Sequence, residues 1–132
     1  MVPDQETARK IAEAHCQTWT KMSPEAVAER YAATTSFAMN WGEPMTTRSE
    51  IAEMARGFMA DFPDLQLTCE NVLAADHHMI YAWKFEGHHK DTGNFVSFSG
   101  WEEWDLDEDL NVTKSLGWYD VDDYNRQVNG GK

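Results

Sequence analysis

The sequence predicts an α+β fold: a curved antiparallel sheet forms a cone, and three N-terminal helices cover its concave face. Stretches with helical apolar spacing come first, within residues 5–62, and long stretches of alternating apolar and polar side chains follow, within 65–119. One face of those strands is rich in aromatic side chains, so it needs a cover. The length of 132 residues suits a single domain over residues 1–132.

The first two helices are predicted at residues 5–20 and 24–33. Asp4 can cap the first, and its apolar residues recur with the spacing of one buried face, with His15 in the middle of that stripe. Ser23 and Pro24 suit the cap and first turn of the second. Both helices are therefore expected to bury one face against the sheet.

A short strand and a third helix follow. Residues 37–41 alternate Phe, Met and Trp with other side chains, so a strand would place all three on one face. Thr47 and Glu50 form a capping box for the helix, and Pro63 ends it. The helix is thus expected to fill the space between Thr47 and Pro63.

Four strands are predicted at 65–74, 79–90, 94–106 and 112–119, joined by short turns. Tyr81, Trp83 and Phe85 share one face of the second of these strands. On the third, Glu102 falls on the apolar side next to Trp104. The alternation therefore places one carboxylate among aromatic side chains.

Glu102 and His15 are the candidate catalytic residues. A buried carboxylate has a raised pKa, so Glu102 could donate a hydrogen bond or abstract a proton, and His15 could be its hydrogen-bond partner. The alternatives are that Glu102 faces solvent, that the two form a structural pair, or that His15 is a satisfied core residue.

Eight side chains are expected to line an apolar pocket inside the cone, although the same aromatic residues could equally form an ordinary core. A core this rich in Trp is unusual, because each indole N–H needs a partner. The candidate lining residues are Trp19, Met39, Trp41, Phe58, Trp83, Phe85, Trp104 and Tyr119.

Charge and composition narrow the classes of partner. The net charge of −12 argues against nucleic acid, which needs clustered Lys and Arg, and against an anionic membrane surface. No apolar run is long enough to span a bilayer, and no signal peptide is visible, so a cytoplasmic location is expected. Adjacent His residues on a strand point to opposite faces, and we expect neither a metal nor a cofactor.

Cys16 and Cys69 are the only cysteines in the sequence. Without a secretion signal, two free thiols are expected, and a disulfide between them is the less favoured alternative.

The chain resembles SnoaL-like domains, the polyketide-cyclase branch of the nuclear-transport-factor-like superfamily. The matching pieces are the helix TRSEIAEMARGFMADFPDL, the strand from Trp83 to Gly87 followed by His89, and the closing Tyr119-Asp120 with Gln127. The resemblance implies a cone of curved sheet and a homodimer formed through the sheet.

The resemblance also implies roles for single residues. The position of Glu102 is a polar pocket residue in related cyclases and ketosteroid isomerases, and the first-helix tyrosine of the isomerases falls on His15. The basic aspartate of the isomerases falls on Met39, and the catalytic aspartate of the cyclases falls on Gly117. Both usual bases are therefore replaced.

Three functions stay open at this point. The first is a cofactor-free isomerase or cyclase that acts on a small apolar carbonyl compound by acid–base chemistry. The second is a non-catalytic module that binds a small apolar ligand, which the missing bases favour. The third is a structural dimer whose cone is filled by its own Trp side chains.

Overall fold

A computed structural model describes residues 3–131 and confirms the α+β fold. Helices and strands follow the predicted order, with one further helix at the end. The elements are α1 (Gln5–Thr20), α2 (Pro24–Glu29), β1 (Phe37–Met39), α3 (Arg48–Asp61), β2 (Gln66–Ala75), β3 (His78–His88), β4 (Phe95–Leu106), β5 (Val112–Tyr119) and α4 (Val121–Val128).

The three predicted helices begin at the predicted caps. The side chain of Asp4 accepts a hydrogen bond from the Thr7 amide at 2.7 Å, and Ser23 and Thr47 cap α2 and α3 in the same way. Helix α2 ends four residues earlier than predicted. Its following residues hydrogen-bond to Val112 at the start of β5, which takes their backbone out of the helix.

The five strands form one sheet in the order β1-β5-β4-β3-β2. The antiparallel prediction is confirmed for three of the four strand pairs, β2–β3, β3–β4 and β4–β5, whereas β1 runs parallel to β5. Alternation shows which face a side chain takes, but it does not show the direction of the neighbouring strand. The sheet is therefore mixed at the β1 edge.

Helix α4 was not predicted. Asp120 caps it by accepting from the Asp123 amide at 3.0 Å, and no residue of α4 is buried. Its apolar residues Val121, Tyr124 and Val128 do have helical spacing, but the segment is short and mostly polar. The ring of Tyr124 attaches it to the sheet by packing against Phe98 at 5.4 Å. Polar contacts add to this, among them the Ser97 amide donating to the Gln127 side chain at 2.6 Å.

One row of side chains crosses the whole sheet on its concave face. In the strand register, Met39 lies opposite Gly117, Gly117 opposite Glu102, Glu102 opposite Tyr81, and Tyr81 opposite Val72. We call these five residues the central row. Directly opposite residues on neighbouring strands share a face, so Glu102 lies in the middle of the concave surface.

Two glycines on the concave face make room for neighbouring side chains. A Cβ at Gly100 would lie 2.5 Å from the ring of Trp83 and 2.4 Å from the carbonyl oxygen of Trp118. A Cβ at Gly117 would lie 2.5 Å from the sulfur of Met39. The missing side chains therefore leave the space that Trp83 and Met39 occupy.

Between residues 3 and 131, none of the helices is both long enough and apolar enough to span a bilayer.

Candidate functional site

An apolar cavity of about 50 Å³ lies between the concave face and helices α1 and α3. Six of the eight predicted lining residues surround it, and four further side chains, from β1, α3, β2 and β4, complete its wall. The predicted members are Trp19, Met39, Phe58, Trp83, Phe85 and Tyr119, and the additional ones are Phe37, Met54, Leu67 and Phe98.

The four additional lining residues were visible in the sequence as members of apolar stripes. Phe98 shares its strand face with Glu102, and Met54 lies on the apolar stripe of α3. The sequence did not predict that β1 pairs with β5, and this pairing brings Phe37 to the cavity.

Trp41 does not line the cavity, contrary to the prediction. Its side chain is 75% exposed, and its ring packs against Trp118 with centroids 5.5 Å apart. Strand β1 ends at Met39, and Asn40 and Trp41 both adopt positive φ angles, 52° and 60°. The strand alternation that would have turned Trp41 inward is therefore broken by a left-handed turn.

Trp104 is buried but lies in the floor of the cone, outside the cavity lining. Its ring contacts Tyr81, His15 and Tyr31, with centroid distances of 4.8, 5.1 and 6.3 Å. We call these four residues, with Ser115, the polar floor. Phe37 lines the cavity and stacks on Tyr31 at 5.4 Å, so it separates the floor from the cavity.

Glu102 is 5% exposed and faces inward, as predicted. The hydroxyl of Tyr81 donates a hydrogen bond to its Oε2. Burial raises the pKa of Glu102 to about 7, and the Tyr81 hydrogen bond limits that rise. The carboxyl group therefore exchanges its proton close to neutral pH.

His15 is 2% exposed and lies in the polar floor. Burial, with a smaller contribution from the charge of Arg30, lowers its pKa to about 3. The imidazole is thus neutral at physiological pH. Within residues 3–131, its Nδ1 has no hydrogen-bond partner.

The predicted direct pairing of His15 with Glu102 is replaced by an arrangement around Tyr81. The ring of His15 packs edge-on against that of Tyr81 at 6.3 Å, and the Tyr81 hydroxyl binds Glu102. Sequence alternation placed Tyr81 on the correct face, but nothing in the sequence marked it as the partner of the acid.

Unpaired polar atoms distinguish the floor from an ordinary core. In the part of the chain that the structure describes, the indole Nε1 of Trp104 and the Nδ1 of His15 are buried without a partner. Burial raises the pKa of Tyr31, and the Ser115 hydroxyl beside it partly offsets that rise. Each unpaired buried group costs about 1–3 kcal/mol, so a hydrogen-bonding group that reached the floor would be stabilised there.

Met39 stands between the cavity and Glu102. It lines the cavity, and its sulfur occupies the place of a side chain at Gly117, where the Cγ of Glu102 also lies close by, 3.2 Å from the position of that Cβ. Movement of the flexible Met39 side chain would therefore connect the two.

Across residues 3–131, no group of three or more His, Cys, Asp or Glu side chains is arranged to hold a metal ion. Two histidines each contact a single carboxylate. The Nδ1 of His88 lies 2.6 Å from the Oδ2 of Asp64, and the Nδ1 of His78 contacts Asp105.

Solved structures share this fold at low sequence identity. A hypothetical protein with a ketosteroid isomerase-like fold from Catenulispora acidiphila, in complex with trimethylamine, superposes with a TM-score of 0.84 at 19% identity, covering 93% of this chain and 95% of that one. AclR, a putative hydroxylase from Streptomyces galilaeus, superposes with a TM-score of 0.83 at 13% identity, covering 96% of this chain and 83% of that one. An LEH-like epoxide hydrolase from M. tuberculosis superposes with a TM-score of 0.76 at 12% identity, covering 98% of this chain and 94% of that one.

These identities show a common fold and no common activity. No curated protein sequence matches the chain. The model of the SnoaL-like domain matches residues 12–114, which is more than half of the chain and includes every residue of the central row except Gly117. The chain therefore belongs to the SnoaL-like domain family.

Proposed function

We propose that this protein binds a small, largely apolar molecule in the cavity. The observation that supports this most is the wall itself, which consists only of aromatic, Met and Leu side chains. The volume of about 50 Å³ suits a ligand of a few non-hydrogen atoms. Larger ligands would require Met39, Met54 or Phe58, which are partly buried, to move aside.

The Catenulispora acidiphila protein supports a ligand of this size, since trimethylamine is the molecule in its complex. Trimethylamine is apolar apart from its nitrogen, and its protonated form would be attracted to aromatic ring faces and to a nearby carboxylate. Both kinds of group are available here, in the cavity wall and at Glu102.

Titration with trimethylamine and with its neutral near-isostere tert-butanol tests this proposal. We expect saturable changes in Trp fluorescence and in the methyl NMR signals of Met39 and Met54, with dissociation constants of roughly millimolar size. Phe58→Trp should fill the cavity and abolish the changes, whereas Trp41→Phe, on the outer face, should leave them intact. If Phe58→Trp binds both molecules as well as the wild type does, the cavity is not the site.

The second candidate is cofactor-free acid–base chemistry on a small carbonyl compound, as in an isomerase or cyclase. The observation that favours it is the carboxyl of Glu102, buried with a pKa of about 7 beside a tyrosine hydroxyl donor. Glu102 would abstract a proton next to the carbonyl, and neutral His15 would donate a hydrogen bond to the carbonyl oxygen, since the single hydroxyl proton of Tyr81 is already donated to Glu102. Binding ranks first because Glu102 lies behind Met39.

Proton exchange into deuterium oxide tests this candidate without knowledge of the product. Cyclopentanone should exchange its α-protons faster with the protein than without it, and Glu102→Gln should abolish the acceleration. Glu103→Gln, the exposed neighbour, is the matched control. Equal exchange by wild type and Glu102→Gln would exclude Glu102 as the base.

We also infer a homodimer formed through the outer face of the sheet. Trp41 and Trp101 are exposed there by 75% and 48%, and both pack against Trp118, at 5.5 and 5.6 Å. Exposed aromatic clusters of this kind are typical of interfaces. As a separate proposal, we place the protein in the cytoplasm.

A further inference from the structure

The two cysteines lie where helix α1 rests on strand β2. The Thr20 hydroxyl at the end of α1 donates to the Leu67 carbonyl at 3.2 Å, and the Gln5 side chain at its start accepts from the backbone of the same strand. Cys16 and Cys69 lie between these two anchors, on the facing sides of the helix and the strand. The fold therefore holds the two thiols together, although they are distant in sequence.

The surroundings of the two sulfur atoms differ. Cys16 is 1% exposed, whereas Cys69 is partly exposed beside a β-bulge. The Cys69 sulfur contacts the Asn71 carbonyl oxygen at 4.0 Å, and the neighbouring Cys16 thiol lowers the pKa of Cys69. Burial opposes this effect, Arg9 adds to it and Glu13 reduces it. Cys69 is thus the accessible nucleophile and Cys16 the protected partner.

We propose that Cys16 and Cys69 form a peroxide-reactive dithiol that closes to a disulfide between α1 and β2. Both thiols are free in the structure, and neither belongs to the proposed ligand cavity or to the polar floor. The site is therefore independent of the proposed binding function.

The chemistry proceeds in two balanced steps. The Cys69 thiolate attacks one oxygen of a hydroperoxide, the O–O bond breaks, and the second oxygen takes a proton and leaves as water or an alcohol. The Cys16 sulfur then attacks the sulfenic sulfur of Cys69; the S–S bond forms, the S–O bond breaks, and the hydroxyl leaves as water with the Cys16 proton. The two thiols lose two electrons in total, and the peroxide gains them.

The disulfide would fix the helix that supplies Trp19 to the cavity wall. It would also close a long loop, from position 16 to position 69, which restricts the unfolded chain. We expect the melting temperature of the oxidised protein to exceed that of the reduced protein by roughly 10 °C.

Oxidation of the full, reduced chain with equimolar hydrogen peroxide tests the proposal. We expect both free thiols to disappear, the mass to fall by two hydrogen atoms, and a tryptic peptide pair to contain the Cys16–Cys69 bond. Cys16→Ser should instead give a sulfenic acid at Cys69 that dimedone traps, and Cys69→Ser should leave Cys16 unreacted.

If a variant does not fold, the rate of disulfide formation in the wild type still tests the proposal. Because the native fold holds the thiols together, the disulfide should form at least roughly tenfold faster in buffer than in urea. Equal rates, or two thiols still free after peroxide, would overturn the proposal. So would a product in which Cys69 has gained oxygen atoms or joined a second chain.

Discussion

The hydroxyl of Tyr81 donates a hydrogen bond to the carboxyl of Glu102 in the centre of the concave face. The two residues lie directly opposite each other on β3 and β4, so the register of the hairpin fixes the contact. Glu102 is thus held among apolar side chains with one donor, which places its proton exchange near neutrality.

The wild type should lose stability as pH rises, and Glu102→Gln should not show this loss. The unfolded chain releases this proton near its ordinary pKa of 4.5, but the folded chain retains it until about 7. Between these values the folded state binds more protons, so the free energy of unfolding falls with pH, by about 3 kcal/mol in total. Urea unfolding at pH 5 and pH 8 measures this, and the exposed Glu103→Gln should behave as the wild type.

Tyr81→Phe should raise the pKa of Glu102 further, because it removes the donor that favours the ionised form. The stability above pH 7 should fall by about 1–3 kcal/mol, since the buried carboxylate loses its partner. Carbon-13 NMR of the Glu102 carboxyl reports the pKa directly. An unchanged titration would mean that the hydrogen bond does not form in solution.

His15→Phe should protect the protein against acid. The unfolded chain binds a proton at His15 near pH 6.5, but the folded chain does not until about pH 3. Stability is therefore lost as pH falls through this window, by up to about 5 kcal/mol. Denaturation curves at pH 7 and pH 4 should show a smaller difference for His15→Phe than for the wild type. His89→Gln, which is only partly buried, should retain the wild-type difference.

Gly100→Ala should destabilise the protein more than Gly117→Ala. The methyl group at position 100 would meet the backbone oxygen of Trp118 at 2.4 Å, which cannot move aside, at a cost of about 3 kcal/mol. At position 117 it would meet the flexible side chain of Met39. A double-mutant cycle with Met39→Ala should show coupling to Gly117→Ala and none to Gly100→Ala.

Trp101→Glu should dissociate the proposed homodimer without unfolding the chain, because Trp101 is 48% exposed on the outer face. Sedimentation velocity at micromolar concentration measures the change, with Val121→Glu, an exposed apolar residue of α4 outside the sheet, as the control. A wild type that sediments as a monomer would contradict the dimer itself.

The sequence was sufficient for the helices α1 to α3, the four long strands and the inward position of Glu102. Each of these depends on local periodicity or on a capping residue, as at Asp4 and Thr47. The rest depends on contacts between distant segments. The parallel pairing of β1 and the contact from Tyr81 to Glu102 follow from strand register, which alternation does not specify. The outward turn of Trp41 follows from the left-handed turn at the end of β1.

The central row affects how this chain should be compared with other members of its family. Position 39 on β1, position 117 on β5 and position 102 on β4 are far apart in the chain, yet they adjoin one another across the sheet. An acid at any one of them would act on much the same point in space. Comparing homologues by location on the concave face, and not only column by column, would therefore treat a carboxylate at any of these three positions as serving the same part of the site.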